Sequence, residues 1–296
     1  MNDVVAIVVT YNRLDMLKKC IDSLKKQNSA CDIIIINNGS TDDTESWAEN
    51  QDVIYFNTGS NLGGAGGFNY GMKKAYNLNY KYMWLMDDDC FPKEDALENL
   101  LKADKILDGN YGWLSSVALW NDGKECKMNR QKLKKSFYNY SQYLKDSIVQ
   151  AEQATFVSLF VKSEIVKKVG LPISSFFIWG DDIEYTRRIS IRYDIPSFVV
   201  GNSQVIHSMK ENNGSSIAND DVSRINRYKY AFRNEHYLYR KEGLKGIIYY
   251  HAKCWLNFFR ILCHGKKHRF KRIHILLSSN LKGLFFNPKI EYLDKE

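Results

Sequence analysis

Four times in the first ninety residues, a short apolar run ends in a polar or glycine-rich turn and is followed by helical spacing or a carboxylate cluster. Residues 4–9 are apolar and largely β-branched, and Leu14, Leu17, Ile21 and Leu24 then recur at helical intervals. Residues 33–36 stop at Asn37-Asn38-Gly39-Ser40 before a short helix over 41–49, and residues 53–57 precede a glycine-rich loop with a helix expected over 66–76. Residues 82–86 run directly into Asp87-Asp88-Asp89. Short apolar runs bounded by turns read as buried strands, and strands alternating with helices imply a mostly parallel sheet covered on both faces. In such α/β sheets, ligands bind beyond the carboxyl ends of the strands. Those ends carry Thr10-Tyr11-Asn12-Arg13, the Asn37–Ser40 turn, the glycine loop and the three aspartates.

Beyond residue 110 the pattern predicts an exposed basic loop over 124–135, a strand over 154–161 and a short helix over 162–169. An acidic-start helix over 180–191 and a strand over 198–206 follow, and the chain is helical after residue 220. The expected organisation is an α/β ligand-binding domain over 1–215 and a helical region over 216–296. The net charge of +8 resides in the tail: residues 241–296 hold 12 Lys and Arg against 4 Asp and Glu, so the remainder is neutral. Six scattered cysteines lack both metal spacing and the density of a disulfide scaffold, which fits a reducing cytoplasm. No uninterrupted apolar run is long enough to cross a bilayer, so membrane contact is expected to be peripheral.

The chemistry concentrates in a few motifs. In extended geometry alternate side chains share a face, so Asp87 and Asp89 converge while Asp88 points elsewhere. Two adjacent carboxylates repel, and a divalent cation relieves that cost; the plain alternative is a solvated acidic turn. A metal there suits a nucleotide diphosphate, because it neutralises charge building on the leaving group. Asn61-Leu62-Gly63-Gly64-Ala65-Gly66-Gly67 lets backbone N–H groups approach phosphate or sugar oxygens, although a tight structural turn explains it equally well; it lacks the Lys-Ser/Thr pair of a Walker loop. Trp179-Gly180-Asp181-Asp182-Ile183-Glu184-Tyr185 supplies a second acidic cluster, able either to complement a helix N-terminus or to deprotonate a hydroxyl. His207 ends an apolar run, where it is either a structural histidine or an imidazole ligand beside oxygen donors.

Together these segments resemble the inverting GT-A glycosyltransferases of family 2, over residues 4 to about 240. Within that family the glycine loop, Trp84-Leu85-Met86-Asp87-Asp88-Asp89 and residues 179–185 look most like the galactofuranosyltransferase branch, with rhamnosyltransferases as neighbours. The resemblance implies a GT-A Rossmann-like α/β fold with a basic helical extension, and Mn²⁺ or Mg²⁺ on Asp87, Asp89 and His207. It implies Asp182 as catalytic base, and donor contacts from Thr10, Tyr11, Asn12, Arg13, Asn38, Asn61, Gly63, Gly64 and Asp88. Trp179, Asp181 and Gly66 are implied to meet the transferred sugar or the acceptor. The implied reaction moves galactofuranose from a uridine diphosphate donor onto a glycan or lipid-linked glycan in bacterial cell-surface polysaccharide synthesis. Many members carry Asp where this chain has Asn37, so an amide oxygen is left to take the uracil N–H. Thymidine diphosphate rhamnose is the alternative donor, and a non-catalytic sugar-nucleotide-binding module the alternative class.

In the tail, Trp255, Phe258-Phe259, Phe270 and Leu284-Phe285-Phe286 lie among the basic residues. That composition suits an amphipathic surface meeting anionic lipid; a helical cap burying its aromatics is the competing expectation. Nucleic acid is not expected as a partner, because the positive charge is confined to the tail while the acidic motifs sit at the ligand-binding ends. An oligomer is compatible with this composition.

Overall fold

The computed structural model describes residues 2–265 and 267–293. Its strands are β1 (Val4–Thr10), β2 (Asp32–Asn37), β3 (Ile54–Asn57), β4 (Tyr82–Asp87), β5 (Cys90–Pro92), β6 (Leu114–Leu119), β7 (Lys132–Leu133), β8 (Ile148–Gln153), β9 (Leu159–Lys162) and β10 (Ser197–His207). Its helices are α1 (Leu14–Lys25), α2 (Thr44–Ala48), α3 (Gly63–Asn77), α4 (Ala96–Ile106), α5 (Ser163–Val169), α6 (Asp181–Arg187), α7 (Val222–Ile225), α8 (Tyr228–Lys241), α9 (Gly243–His264) and α10 (Arg269–Phe285). One sheet runs in the order β3-β2-β1-β4-β9-β6-β10-β8-β7, with β5 added against β10. It is parallel through β3-β2-β1-β4, where the expected ligand loops lie, and parallel again between β6 and β10. The strands β9, β8, β7 and β5 pair antiparallel.

Alternate residues of β1 and β4 enter opposite cores: Val4, Ala6, Val8, Trp84 and Met86 face α1 and α4, whereas Val5, Ile7, Val9, Met83 and Leu85 face α3. A strand buried on both faces has no polar alternation, which is why these runs are continuously apolar. The glycine segment is the first turn of α3 rather than a loop preceding it. A Cβ on Gly67 would lie 2.5 Å from Val9 Cγ1, and one on Gly71 would lie 2.6 Å from Ile7 Cγ2. These glycines bring the helix close to β1, which places its N-terminus over the strand ends.

Of the strand expected over 154–161, only residues 159–161 are strand, as part of β9. Residues before it pair as β8 with β10, Ser158 turns the chain at φ 62°, and β9 inserts between β4 and β6. Phe156 and Val157 enter opposite cores at this turn, so an apolar string that reads as one strand spans a corner. The expected acidic-start helix is α6 followed by a single π-helical turn, Arg188–Arg192.

The helical region has a core of its own, built on Ile217, Ile225, Phe232, Ile261 and Leu276, and is also tied to the sheet domain. Arg187 forks onto Glu242 at 2.7 Å from both Nε and Nη2. After α10 the chain returns along the sheet domain, where Leu171 N–H donates to Glu291 O at 2.8 Å and Leu293 joins the α3-side core.

Beneath α6, Arg188 is fully buried and donates to Glu184 and to the carbonyls of Val169 (3.1 Å) and Leu171 (3.0 Å). Removing one partner of a buried pair strands the other charge. Arg188→Ala is therefore expected to lower unfolding free energy by about 3 kcal/mol or more, read from urea denaturation midpoints at constant slope.

Candidate active site

Between the carboxyl ends of the parallel strands and the helical region lies an open cleft of about 2710 Å³. Small-molecule pockets commonly enclose roughly 300–1,000 Å³, so this one has room for two substrates. Thr10, Tyr11, Asn12, Arg13, Asn61, Gly63 and Gly64 line it with Asp87, Asp88, Asp89 and His207, and Trp179, Asp181 and Asp182 form the opposite side.

On the first side, one ligand atom each from Asp87, Asp89 and His207 lie within 4.8 Å of one another. Asp88 turns away: it accepts from Thr10 Oγ1 at 2.8 Å and pairs with Arg13 Nη1 at 2.9 Å, while Arg13 Nη2 reaches Asp89 at 2.8 Å. Burial pushes Asp87 up to about 7, with Asp89 adding to the shift and His207 opposing it. Burial likewise raises Asp88 to about 7 against the pull of Arg13. Asp89 is held below the ordinary carboxylate range despite burial, because His207 and Arg13 both stabilise its charge. Burial would depress His207, but its contact with Asp89 at 3.1 Å reverses this and holds the imidazole up at about 10.

Two carboxylates and an imidazole, converging and largely shielded from water, are a donor set that fits a Mn²⁺- or Mg²⁺-like cation. The imidazole is also oriented for the task. Asn129 Nδ2 donates to Thr155 Oγ1 at 2.9 Å, which turns Oδ1 onto His207 Nδ1 at 2.7 Å. With Nδ1 donating to that oxygen, Nε2 faces Asp89 and is the nitrogen left to ligate.

The second side is a strained turn. Phe177 and Trp179 both have φ 65°, and Gly180 has φ 87°. Positive φ at bulky residues costs of order 1–3 kcal/mol each and persists only where the surroundings enforce it. The enforcement comes from α8: Asn234 Nδ2 reaches the carbonyls of Phe176 (3.0 Å), Ile178 (3.3 Å) and Trp179 (2.8 Å), and Arg233 Nη2 donates to Ser175 O at 2.7 Å. The turn also meets the start of α3 directly: Ala65 N–H donates to Phe177 O at 3.2 Å, and a Cβ on Gly63, which has φ 71°, would collide with that oxygen at 2.0 Å. The turn presents Asp181 and Asp182 at the start of α6. Burial pushes Asp181 well up, with Asp182 and Asp87 adding to it, and burial raises Asp182 to about 6 against a 2.7 Å bond from Ile183 N–H. Trp179 packs edge-on to Tyr228 at 4.9 Å.

The glycosyl transferase family 2 model matches residues 5–151. The chain carries a family 2 glycosyltransferase domain. Galactofuranosyltransferase GlfT1 of Mycolicibacterium smegmatis is 23% identical over 273 residues, covering 86% of this chain and 88% of the relative. GlfT1 of Mycobacterium tuberculosis is 26% identical over 275 residues, covering 86% and 87%. Among solved structures, GalNAc-T7 with UDP, GalNAc and Mn²⁺ matches with a TM-score of 0.66 at 14% identity, over 94% of this chain and 54% of that one. This chain thus spans about half of the GalNAc-T7 structure. A Pyrobaculum calidifontis mannosyltransferase in complex with GDP-Man and Mn²⁺ matches with a TM-score of 0.58 at 17% identity, over 96% and 87%. The fold is that of the GT-A glycosyltransferases.

In this glycosyltransferase, three sequence expectations change. Gly66 does not face the cleft: it is buried, with its would-be Cβ 2.5 Å from Leu62 Cβ. Asn37 is fully buried, its Oδ1 accepting from Ser40 N–H and its Nδ2 donating to Tyr55 OH, each at 2.8 Å, so its amide is not presented to a base. Asn38 reaches the cleft floor, but its amide holds the glycine turn through Gly63 O (2.9 Å) and Leu62 N–H (3.0 Å). Conversely, Asn129 and Asn234 were invisible as site residues, since one sits in an apparently exposed basic loop and the other on a distant helix.

Asn129→Ala is expected to weaken Mn²⁺ binding by roughly tenfold to a hundredfold, measured by calorimetry or by the paramagnetic signal of free Mn²⁺. Asn129→Asp, which keeps the acceptor, is expected to restore most of it.

Proposed function

We propose that this glycosyltransferase moves galactofuranose from UDP-galactofuranose onto a glycan or lipid-linked glycan acceptor in the cytoplasm, with inversion, in the synthesis of a cell-surface polysaccharide. The observation that carries this reading is the meeting of two acidic groups in one cleft: Asp87 and Asp89 with His207, and Asp181 with Asp182. A binding module requires no second group held in a strained turn. The galactofuranosyl donor is supported by the two GlfT1 relatives, which align over most of the chain.

In this mechanism Thr10, Tyr11, Asn12, Arg13, Asn61 and Gly64 form the donor side, with Arg13 set to take diphosphate charge. Asp87, Asp89 and His207 hold a divalent cation, which when bound offsets the negative charge developing on the departing diphosphate. Asp182 accepts the proton of the acceptor hydroxyl as its oxygen attacks the anomeric carbon from the face opposite the leaving group. Asp181, kept protonated by burial, donates a hydrogen bond to sugar, and Trp179 supplies an apolar face beside it.

A base must be deprotonated to act, so turnover is expected to rise with pH through about 6, the value to which burial lifts Asp182. Asp182→Asn is expected to lose that limb and roughly a hundred- to ten-thousand-fold in turnover while donor binding is kept. Diphosphate release should be assayed with Mn²⁺ across a sugar-nucleotide panel, with galactoside and rhamnoside acceptors. Release confined to UDP-galactofuranose and abolished by Asp89→Ala supports the proposal; release only from thymidine diphosphate rhamnose replaces the donor, and none from any donor overturns it. Unchanged turnover in Asp182→Asn removes Asp182 from the role.

A further inference from the structure

Residues 243–285, which span α9 and α10, contain nine Lys and Arg, four His and no Asp or Glu. The same stretch carries most of the large apolar side chains exposed on the described surface. On α9, Leu244, Ile248, Trp255, Phe259 and Leu262 recur at helical spacing along the outward face, with Leu244 72% and Trp255 62% exposed. On α10, Phe270, Leu277, Leu281 and Phe285 do the same, with Phe270 91% and Phe285 83% exposed. The inward faces are satisfied separately: Gly246, Tyr250 and Ile261 of α9 are buried, as are Ile275, Leu276 and Gly283 of α10. The exposed stripes are therefore not a core awaiting closure within this chain.

Contiguous exposed aromatic and aliphatic surface marks a docking face. Its charge selects the occupant. Lys245, Arg260, Lys267, Arg269, Lys271 and Lys282 are exposed around the stripes. A second copy meeting this face would set those cations against their equals, and a nucleic acid would leave Phe270 and Phe285 in water. Among the described residues no helix is long and apolar enough to cross a membrane. A helix with Trp, Phe and Leu on one side and Lys and Arg beside them lies in the headgroup boundary of an anionic bilayer.

We propose that α9 and α10 form a monotopic docking surface for anionic lipid, with the side chains of Trp255, Phe259, Phe270 and Phe285 inserted and the surrounding cations on the headgroups. The active-site cleft then opens along the bilayer, because α9 also lines it through Lys253, Asn257 and Arg260. Docking is independent of the reaction proposed above.

The test is flotation of the full chain with phosphatidylglycerol/phosphatidylcholine vesicles and with phosphatidylcholine alone, at low and high salt. The wild type should float only with anionic vesicles, release in salt, and shift its tryptophan emission to the blue. Lys245→Glu with Lys271→Glu should reduce binding roughly tenfold or more. Trp255→Ser with Phe259→Ser should abolish the emission shift; both variants should keep the wild-type circular dichroism and metal-dependent donor hydrolysis. Equal binding to neutral vesicles, no binding to either, or a wild-type dimer that Phe259→Ser dissociates would overturn the proposal. Vesicle binding by a chain that hydrolyses no donor would leave docking standing and defeat the glycosyl-transfer reading alone.

Discussion

Five carboxyl groups, those of Asp87, Asp88, Asp89, Asp181 and Asp182, face one cleft, and the surrounding chain is arranged to tolerate them. Two unit charges about 4 Å apart interact by about 4 kcal/mol at the effective dielectric of a protein surface, and burial raises the cost. The protein distributes this load in three ways. Arg13 bridges Asp88 and Asp89, drawing the loop after β1 onto the acidic strand end. His207 crosses from β10 to Asp89, which ties the far half of the sheet to the near half. Burial keeps protons on the groups that have no partner, Asp181 above all. A cation among Asp87, Asp89 and His207 completes the compensation, so affinity for metal and the integrity of the strand ends have one electrostatic origin.

The same field explains why the second acidic pair sits on a strained turn. Charge on Asp182 lifts Asp87, and charge on Asp87 lifts Asp181, so the two sides sense each other across the cleft. Positive φ at Phe177 and Trp179 aims the start of α6 at that field, and Asn234 prevents relaxation by gathering three carbonyls onto one amide. Glu184 and Arg188 fix the underside of the same helix. The position of Asp182 is thus set from below by a buried ion pair and from behind by α8.

Much of this was legible in the sequence where local rules act alone. Apolar runs ending in polar clusters identified β1, β2, β3 and β4 and their ligand ends, and strand alternation separated Asp88 from Asp87 and Asp89. Where tertiary packing decides, the sequence was silent. Asn129 lies among lysines and arginines that read as solvated loop, yet β7 pairing with β8 folds that loop back until the amide meets His207. Gly66 and Gly67 look like ligand-binding glycines, but their conformational freedom is not used for that purpose; their missing side chains let α3 sit close to Leu62 and Val9. Asn37 occupies a position expected to read the base, and only the structure reveals that Ser40 and Tyr55 have already taken its amide.

The helical region is where a composition argument becomes a geometric one. Phe258 packs against the helical core, and Phe286 joins Phe176 and Tyr237, so part of the tail's aromatic content is cap. Trp255, Phe259, Phe270 and Phe285 are not: they stay exposed on the outer faces of the same helices. Because α8 holds the turn that carries Asp181 and Asp182 and packs on both α9 and α10, whatever occupies their outer face is one helix away from the acidic cleft.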